Sequence, residues 1–203
     1  MHVQLNLPDF AVAVVNTTQI DQRRLVLRSR VLSLDNRLLG ERVAHLDARA
    51  NATTTLKSLA ELSRALPRER LVLVKLTLRD RNGALLSDNT YWQGGTSADH
   101  QRLNELAAQS IGMAARSHAS PSGTVVAVRL TNSGHAAALN AKITMLDEAG
   151  GRVLPVYYGD NYVTLLPGEA REIEVRCPAG PAQCARVALR GWNIVPKETV
   201  ISR

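Results

Sequence analysis

The densest group of side chains suited to binding chemistry lies in the stretch VLPVYYGDNYVTLLPGE, residues 153–169. The chain is only 3% aromatic, yet three of its four tyrosines stand in this stretch. Exposed aromatic rings beside hydrogen-bonding side chains are typical of sites that stack on sugars. The candidate sugar contacts here are Tyr158, Asp160, Asn161 and Tyr162. A calcium site would need several more oxygen ligands than these residues supply.

The same residues also fit a hairpin with no ligand. Tyr157 and Tyr158 are adjacent, so on a strand their rings point to opposite faces. The sequence Gly-Asp-Asn that follows favours a tight turn, because glycine tolerates positive φ and Asp and Asn bond to their own backbone. The competing interpretation is therefore a strand, a turn and a second strand, with the tyrosines in the core or on its rim.

Two tryptophans and two cysteines complete the candidate residues. Trp92 and Trp192 either anchor a sandwich core each or stand exposed as sugar platforms. Cys177 and Cys184 flank a short segment with two prolines and one glycine. This segment is expected to turn the chain back on itself. One hypothesis is that the two cysteines form a disulfide, and the other is that they are two ordinary small buried residues.

No arrangement of residues typical of catalysis is found in the sequence. A glycosidase needs two carboxylates across a cleft, and the acidic residues here fall in turns or on alternating outer faces of strands. The five histidines are far apart, and neither a nucleophile elbow nor a glycine-rich phosphate loop is present. The sequence therefore predicts no catalytic residue, no metal site and no cofactor.

The net charge of +7, from 25 basic and 18 acidic residues, has two interpretations. A basic surface can bind a polyanion, but scattered arginines also arise from codon bias. The densest basic stretch, QRRLVLRSR, contains no aromatic residue that could stack on bases. No apolar run approaches the roughly 20 residues that cross a bilayer. We expect neither nucleic acid nor membrane as a partner.

Strand patterns dominate the chain and predict an all-β fold. Apolar residues alternate with polar ones in TVVAVRLTN and REIEVRC, and residues 71–80 place Val72, Val74, Leu76 and Leu78 on one face. Turn sequences such as Arg-Asn-Gly and Pro-Gly separate these runs. Many short strands at this spacing are typical of β-sandwiches, and 203 residues suit two of them.

In two segments the apolar residues recur at the spacing of a helix instead. Leucines recur in this way from Leu56 to Leu66, which we interpret as a connection inside the first sandwich. Residues 97–111 begin with Ser97 as a candidate N-cap and are interpreted as the linker between domains. The predicted domains are therefore residues 1–96 and 112–203.

The motif RVLPVYYGDNYVTLLPGEAREIEV, followed by VALRGWNI, resembles the C-terminal immunoglobulin-like domain of glycoside hydrolase family 2 enzymes. The group it resembles contains exo-β-D-glucosaminidases, β-mannosidases and mannosylglycoprotein endo-β-mannosidases. The segments FAVAVVNTT and LVLVKLTLRDRNGALLSDNTYWQ are similar to the immunoglobulin-like domain that follows the catalytic barrel in those enzymes. The resemblance implies two immunoglobulin-like β-sandwiches in tandem.

The resemblance also implies that the catalytic residues lie in another part of the parent protein. Such enzymes carry their two catalytic glutamates on a (β/α)8 barrel of about 250 residues, and those glutamates map to no residue here. The expected function is that of a non-catalytic C-terminal accessory region that packs against this barrel. An oligosaccharide is a further expected partner. The expected location is periplasmic or secreted, through a signal on a preceding part of the parent chain.

Two other functions remain open from the residues alone. An autonomous carbohydrate-binding module requires at least one of Trp92, Trp192 and Tyr158 to be exposed beside polar side chains. A stand-alone immunoglobulin-like surface or adhesion protein would carry its own signal peptide, and the first residues, MHVQLNLPDF, do not resemble one.

Overall fold

The alternating patterns fold into two units, Met1–Glu105 and Leu106–Arg203, each with its own hydrophobic core. This is a computed structural model, which describes residues 1–120, 123–177 and 184–202. Strands predominate in both units and every strand pairing within the sheets is antiparallel. The predicted fold class, all-β with two immunoglobulin-like sandwiches in tandem, is confirmed.

The first unit consists of two antiparallel sheets, one helix and a terminal 3-10 helix. In chain order its elements are β1 (His2–Leu5), β2 (Ala11–Asn16), β3 (Gln22–Leu32), β4 (Leu38–Ala48), β5 (Ala52–Ser58), α1 (Ala60–Glu69), β6 (Leu71–Arg79), β7 (Leu85–Gly94) and the 3-10 helix Ser97–Glu105. The sheets have the strand orders β1-β2-β5 and β4-β3-β6-β7.

Strand β6 is the centre of this first core. Its residues Val72, Val74, Leu76 and Leu78 are fully buried in one cluster, as their alternation predicts. On β7, polar side chains bind the backbone of β1. The Tyr91 hydroxyl accepts a hydrogen bond from the backbone N–H of Leu5 at 3.2 Å. These contacts satisfy the backbone groups of an edge strand that has no further strand beside it.

The helix predicted from the leucine spacing begins later than expected. Leu56 lies in β5, which pairs with β2 up to Ser58, and α1 runs from Ala60 to Glu69. Leu59 and Leu62 are buried against the sheets, so the apolar face of the helix is as predicted. The prediction extended too far towards the N-terminus because the ladder to β2 keeps residues 52–58 extended, a long-range constraint that helical spacing cannot reveal.

The segment predicted as a linker, residues 97–111, is divided between the two units. Its first part is the 3-10 helix, which packs on β6 and β7. Asp99 in this helix binds Arg70 at 2.7 Å, and it accepts hydrogen bonds from the hydroxyl and the backbone N–H of Thr96. These hydrogen bonds, first from Thr96 and then from Arg70, hold the pKa of Asp99 below its usual range. At the other end, Ile111 is fully buried in the second core.

The second unit is also a sandwich of two four-stranded sheets. Its strands are β8 (Gly112–Ser120), β9 (Gly123–Thr131), β10 (Ala138–Leu146), β11 (Tyr157–Tyr158), β12 (Val163–Leu165), β13 (Ala170–Cys177), β14 (Arg186–Arg190) and β15 (Lys197–Val200). The strand orders are β12-β10-β14-β15 and β11-β13-β9-β8. Strand β8 comes before the series expected to start near Thr124, and its weak apolar alternation hid it in the sequence.

The second core forms where the inward faces of the two sheets meet. Ile173 and Val175 of β13 lie beside Val128 and Val126 of β9 in the antiparallel register, and all four are buried. Ile143 of β10 packs into the same cluster from the other sheet. The outward faces of both sheets carry charged and aromatic residues, and these faces are where a ligand can be sought.

Candidate functional site

The tyrosine-rich stretch is held against strand β10 by two of its side chains. Tyr158 packs on the second core, and its hydroxyl accepts a hydrogen bond from the backbone N–H of Met145 at 3.1 Å. Its neighbour Tyr157 points away and is 69% exposed, as expected for adjacent residues on a strand. The Tyr158 ring is therefore partly buried and presents less surface for stacking on a sugar than Tyr157 does.

Asn161 pairs with β10 through both ends of its amide. Its Oδ1 accepts from the backbone N–H of Ile143 at 2.9 Å, and its Nδ2 donates to the carbonyl oxygen of Ile143 at 3.1 Å. Strand β12 begins only at Val163, so at Ile143 the amide of Asn161 takes the place of a neighbouring strand. Together, Tyr158 and Asn161 satisfy backbone groups of a buried strand. For these two residues the structure favours the ligand-free interpretation.

Asp160 and Tyr162 flank this amide and face the solvent. Asp160 is exposed, with one oxygen accepting from the backbone N–H of Asn161 at 2.8 Å and the other 4.0 Å from Arg171. Tyr162 is 58% exposed, and the ammonium group of Lys142 lies 5.3 Å from the centre of its ring. Of the four candidates in the loop, Tyr162 alone presents an accessible aromatic ring.

The two tryptophans lie in different units and differ in exposure. Trp92 is half-buried on β7, opposite Leu73. Trp192 follows β14 and is 56% exposed, while its backbone N–H donates to the carbonyl of Leu139 on β10. The interpretation of Trp192 as a core anchor is wrong, because the residue that enters the core after it is Ile194.

Cys177 and Cys184 are joined by a disulfide. Cys177 is buried at the end of β13, and Cys184 packs against the same core just before β14. The turn expected between them falls on residues 178–183, which lie outside the described residues. The bond ties two strands that belong to different sheets of the second sandwich.

A cavity of about 590 Å³ opens between α1 and β4 in the first unit. Its three carboxylates each have an arginine within 4 Å: Glu41 binds Arg28, Glu69 binds Arg37 and Glu61 lies beside Arg64. The hydrogen bond from Arg28 lowers the pKa of Glu41. A general acid for glycoside hydrolysis needs a raised pKa, so this pairing disfavours acid catalysis by Glu41.

Neither a metal-binding cluster nor a membrane-spanning helix is found among the described residues. Among residues 1–120, 123–177 and 184–202, no three His, Cys, Asp or Glu side chains are grouped so that they could hold a metal ion. Across the same residues, no helix has both the length and the apolar character needed to cross a bilayer.

Sequence reasoning missed Lys142, which lies beside the exposed Tyr162, and its neighbour Arg190. They are paired across β10 and β14, on the outward face of that sheet. The alternation in both strands assigns them to this face, but nothing in the sequence indicates that these strands are neighbours.

Comparison with known proteins identifies the kind of domain. Residues 89–194 match the family described as the exo-β-D-glucosaminidase Ig-fold domain, and residues 9–94 match the mannosidase Ig/CBM-like domain. The exo-β-D-glucosaminidase of Amycolatopsis orientalis is 28% identical over 222 residues, which cover 95% of this chain and 21% of that protein. That of Streptomyces avermitilis is 29% identical, with 95% and 24% covered.

Other relatives extend this result. The mannosylglycoprotein endo-β-mannosidase of Lilium longiflorum is 26% identical over 256 residues, which cover 95% of this chain and 26% of that protein. The crystal structure of the exo-chitosanase of Amycolatopsis orientalis matches 98% of this chain and 26% of its own, with a TM-score of 0.88 and 25% identity. The β-D-mannosidase of Dictyoglomus thermophilum shares the fold, with a TM-score of 0.66 at 13% identity over 95% of this chain and 22% of its own.

The chain thus spans about a fifth to a quarter of the length of these curated relatives. Its two sandwiches correspond in order to a mannosidase-type domain and a glucosaminidase-type domain. The chain belongs to the family of immunoglobulin-fold domains found in the exo-β-D-glucosaminidases of glycoside hydrolase family 2.

Proposed function

We propose that this chain is the non-catalytic C-terminal accessory region of a β-glycosidase of the exo-β-glucosaminidase or β-mannosidase type, and that it supports the catalytic barrel of the parent protein. The observation that carries the proposal is the match of 98% of this chain to 26% of a solved exo-chitosanase at a TM-score of 0.88. That enzyme carries both sandwiches in the same chain as the rest of its sequence, which supports an accessory role for them.

The ionisable groups of the chain agree with a supporting role. The carboxylates of the cavity beside α1 have arginine neighbours, and hydrogen bonding lowers the pKa of Glu41 and of Asp99. Both shifts favour the ionised form, whereas glycoside hydrolysis requires one carboxyl group that stays protonated near neutral pH. Neither Glu41 nor Asp99 therefore fits the role of proton donor in such a reaction.

A domain exchange tests the supporting role. The matched region of the Amycolatopsis orientalis enzyme is deleted in one variant and replaced by residues 1–203 of this chain in another. Activity is measured on p-nitrophenyl-β-D-glucosamine, together with the midpoint of thermal unfolding. We expect the deletion variant to be insoluble or unstable and the replacement to recover both solubility and activity.

Two results would contradict the proposal. A deletion variant as stable and active as the intact enzyme would show that the region gives no support. Hydrolysis of β-glucosaminides or β-mannosides by residues 1–203 alone, at a rate that scales with protein purity, would show that the chain is itself catalytic.

A second function, carbohydrate binding, is favoured by the exposure of Trp192 and Tyr162 beside basic side chains. The test is a titration with chitosan and β-mannan oligosaccharides, followed by tryptophan fluorescence. Trp192→Ala is the test variant and Trp92→Ala is its matched control, because Trp92 is half-buried in the other unit. Saturable binding that only Trp192→Ala abolishes supports the function, and a signal that persists without Trp192 contradicts it.

We also propose that the parent protein works in an oxidising compartment, periplasmic or extracellular. The disulfide between Cys177 and Cys184 supports this location, because such bonds are rare where thiols are kept reduced. Thiol titration of the unfolded protein, isolated under conditions that trap free thiols, measures the bond directly. Two free thiols per chain would contradict the proposed location.

A further inference from the structure

The outward face of the sheet β12-β10-β14-β15 carries a row of basic and aromatic side chains. Ala141 pairs with Val163, which places Lys142 beside Tyr162, and Lys142 itself pairs with Arg190 on the other side. The ammonium group of Lys142 lies 5.3 Å from the centre of the Tyr162 ring. Two neighbouring strands and the loop before a third thus present a tyrosine, a lysine and an arginine in one line.

Trp192 is a further exposed aromatic residue, just beyond the end of β14. It follows Arg190 by two residues, and its N–H donates to the carbonyl of Leu139 on β10 at 3.0 Å. Asn193, the next residue, is buried and binds the backbone N–H of Leu139 through its Oδ1. These bonds fix the backbone that carries the exposed indole. We refer to Tyr162, Lys142, Arg190 and Trp192 as the basic aromatic platform.

Among the described residues, some basic side chains of the second unit are paired with a carboxylate, whereas Lys142 and Arg190 are not. Within the described residues, neither Lys142 nor Arg190 has a carboxylate within salt-bridge distance. By contrast, Arg186 on the same strand binds Glu198 at 3.2 Å, and Arg176 on the other sheet binds Glu174 at 3.0 Å. Lys142 and Arg190 are paired on neighbouring strands and leave a local positive charge, which an anionic ligand would complement.

The backbone of Tyr162 is held in an uncommon conformation, which Phe10 in the first unit shares. Its φ is +57°, in the left-handed region that aromatic residues rarely occupy. Such conformations cost on the order of 1–3 kcal/mol and tend to cluster at functional sites. The amide of Asn161 accepts a hydrogen bond from the Tyr162 N–H at 3.0 Å, which helps to hold this conformation. A glycine would adopt it without strain.

We propose that the basic aromatic platform binds a polysaccharide that carries carboxylate groups, such as a polyuronate. The rings of Tyr162 and Trp192 would stack on the faces of pyranose rings, and Lys142 and Arg190 would bind the carboxylates between them. A glucosamine polymer carries ammonium groups, which these cations repel. This inference rests on the second proposed function, carbohydrate binding, and specifies its ligand.

The test is a titration of residues 1–203 with oligogalacturonates, followed by the fluorescence of Trp192 in a Trp92→Phe background. β-Mannan oligosaccharides and chitosan oligosaccharides serve as the neutral and cationic ligands. We expect saturable binding of oligogalacturonate that weakens between about 50 mM and about 500 mM NaCl, because salt screens exposed charges over about 10 Å at 0.1 M and about 3 Å at 1 M.

Three variants separate binding from folding. Tyr162→Gly relieves the left-handed strain, so its thermal midpoint should equal or exceed that of the parent chain while its affinity falls about fivefold or more. The double variant Lys142→Gln with Arg190→Gln should lose the salt dependence. Tyr157→Ala is the matched control, since Tyr157 is also exposed but lies beside the paired Arg176 on the other sheet.

The outcomes are distinguishable. Equal binding of β-mannan and oligogalacturonate, lost in Tyr162→Gly, would leave carbohydrate binding standing and overturn the preference for an anionic ligand. No saturable binding of any oligosaccharide at millimolar concentration would overturn both. Tighter binding of polyuridylate than of oligogalacturonate at equal charge concentration would identify the surface as a site for single-stranded nucleic acid, and would also overturn the proposal.

Discussion

Replacement of Asn161 by alanine tests the structural role of the tyrosine-rich stretch. The amide of Asn161 stands where a neighbouring strand would be and binds both backbone groups of Ile143. The variant removes both bonds and leaves the N–H and C=O of a residue that is only 1% exposed without these partners. We expect the C-terminal sandwich to lose stability without any change in its apolar core.

The magnitude follows from the number of groups left unpaired. A buried donor or acceptor without a partner costs about 1–3 kcal/mol, and water can reach part of the gap that the side chain leaves. Asn161→Ala should therefore destabilise the sandwich by about 2–4 kcal/mol. Tyr158→Phe removes only the acceptor for the N–H of Met145 and keeps the ring, so about 1–2 kcal/mol is expected. Asp160→Ala, at an exposed position in the same loop, should change stability by about 0.5 kcal/mol or less.

The assay combines urea unfolding with hydrogen exchange. Urea unfolding gives the difference in free energy for each variant, provided that the slope of the transition is unchanged. Hydrogen exchange followed by NMR reports the amide of Ile143 itself, which should lose protection in Asn161→Ala and keep it in Asp160→Ala. The amides of Val72 and Val74 in the first sandwich serve as the internal reference.

One result would refute this reasoning. If Asn161→Ala were as stable as Asp160→Ala and Ile143 remained protected, the amide of Asn161 would not replace a strand. The polar side chains of the loop would then be free for a ligand, and the sugar-binding interpretation of the whole stretch would regain its support.

Three further predictions concern other parts of the chain. Gly40→Ala places a Cβ 2.7 Å from the Cβ of Glu61, so β4 and α1 must separate. The free energy of unfolding in urea should therefore fall by about 1–3 kcal/mol. Gly83→Ala is the control, because its Cβ would have nothing within 4 Å and the variant should cost only its backbone strain. The lowered pKa of Asp99 contributes stability above its unfolded pKa of about 3.9, and this contribution is lost as pH falls through the lower folded pKa. The difference in thermal midpoint between the parent chain and Asp99→Asn should therefore shrink below about pH 4, and a pH-independent difference would contradict it. Cys177→Ser with Cys184→Ser opens a loop with a sequence separation of 7 and should cost about 2.5 kcal/mol by loop entropy; an unchanged urea midpoint would contradict it.

Local patterns in the sequence were sufficient for the fold class and for several of the strands. The period of two in β6, β9 and β13 predicted which residues enter the cores, because side chains alternate on any strand whatever its neighbours. The motif around residues 153–169 also indicated the enzyme family, because the resemblance extends over a long continuous stretch of the chain. The start of α1 was not predictable in this way, because pairing of β5 with the distant β2 decided it. Strand β8 was missed because its apolar alternation is weak.

The candidate site shows the same division. The sequence supplied Tyr162 and Trp192 as candidates, and adjacency alone predicted that Tyr157 and Tyr158 face opposite ways. It could not show that Asn161 binds β10, because its partner Ile143 is 18 residues away and on another strand.

The sequence by itself determined the alternation of the strands, the turns between them and the family of the domains, since each of these depends on residues close together in the chain. The tertiary structure decided which aromatic rings are exposed and which cations lie beside them. Lys142, Arg190 and Tyr162 come from β10, from β14 and from the loop before β12, and the order of these strands in the sheet follows from long-range pairing. That pairing is set by how the two sheets pack around their core, and no local pattern in the sequence encodes it.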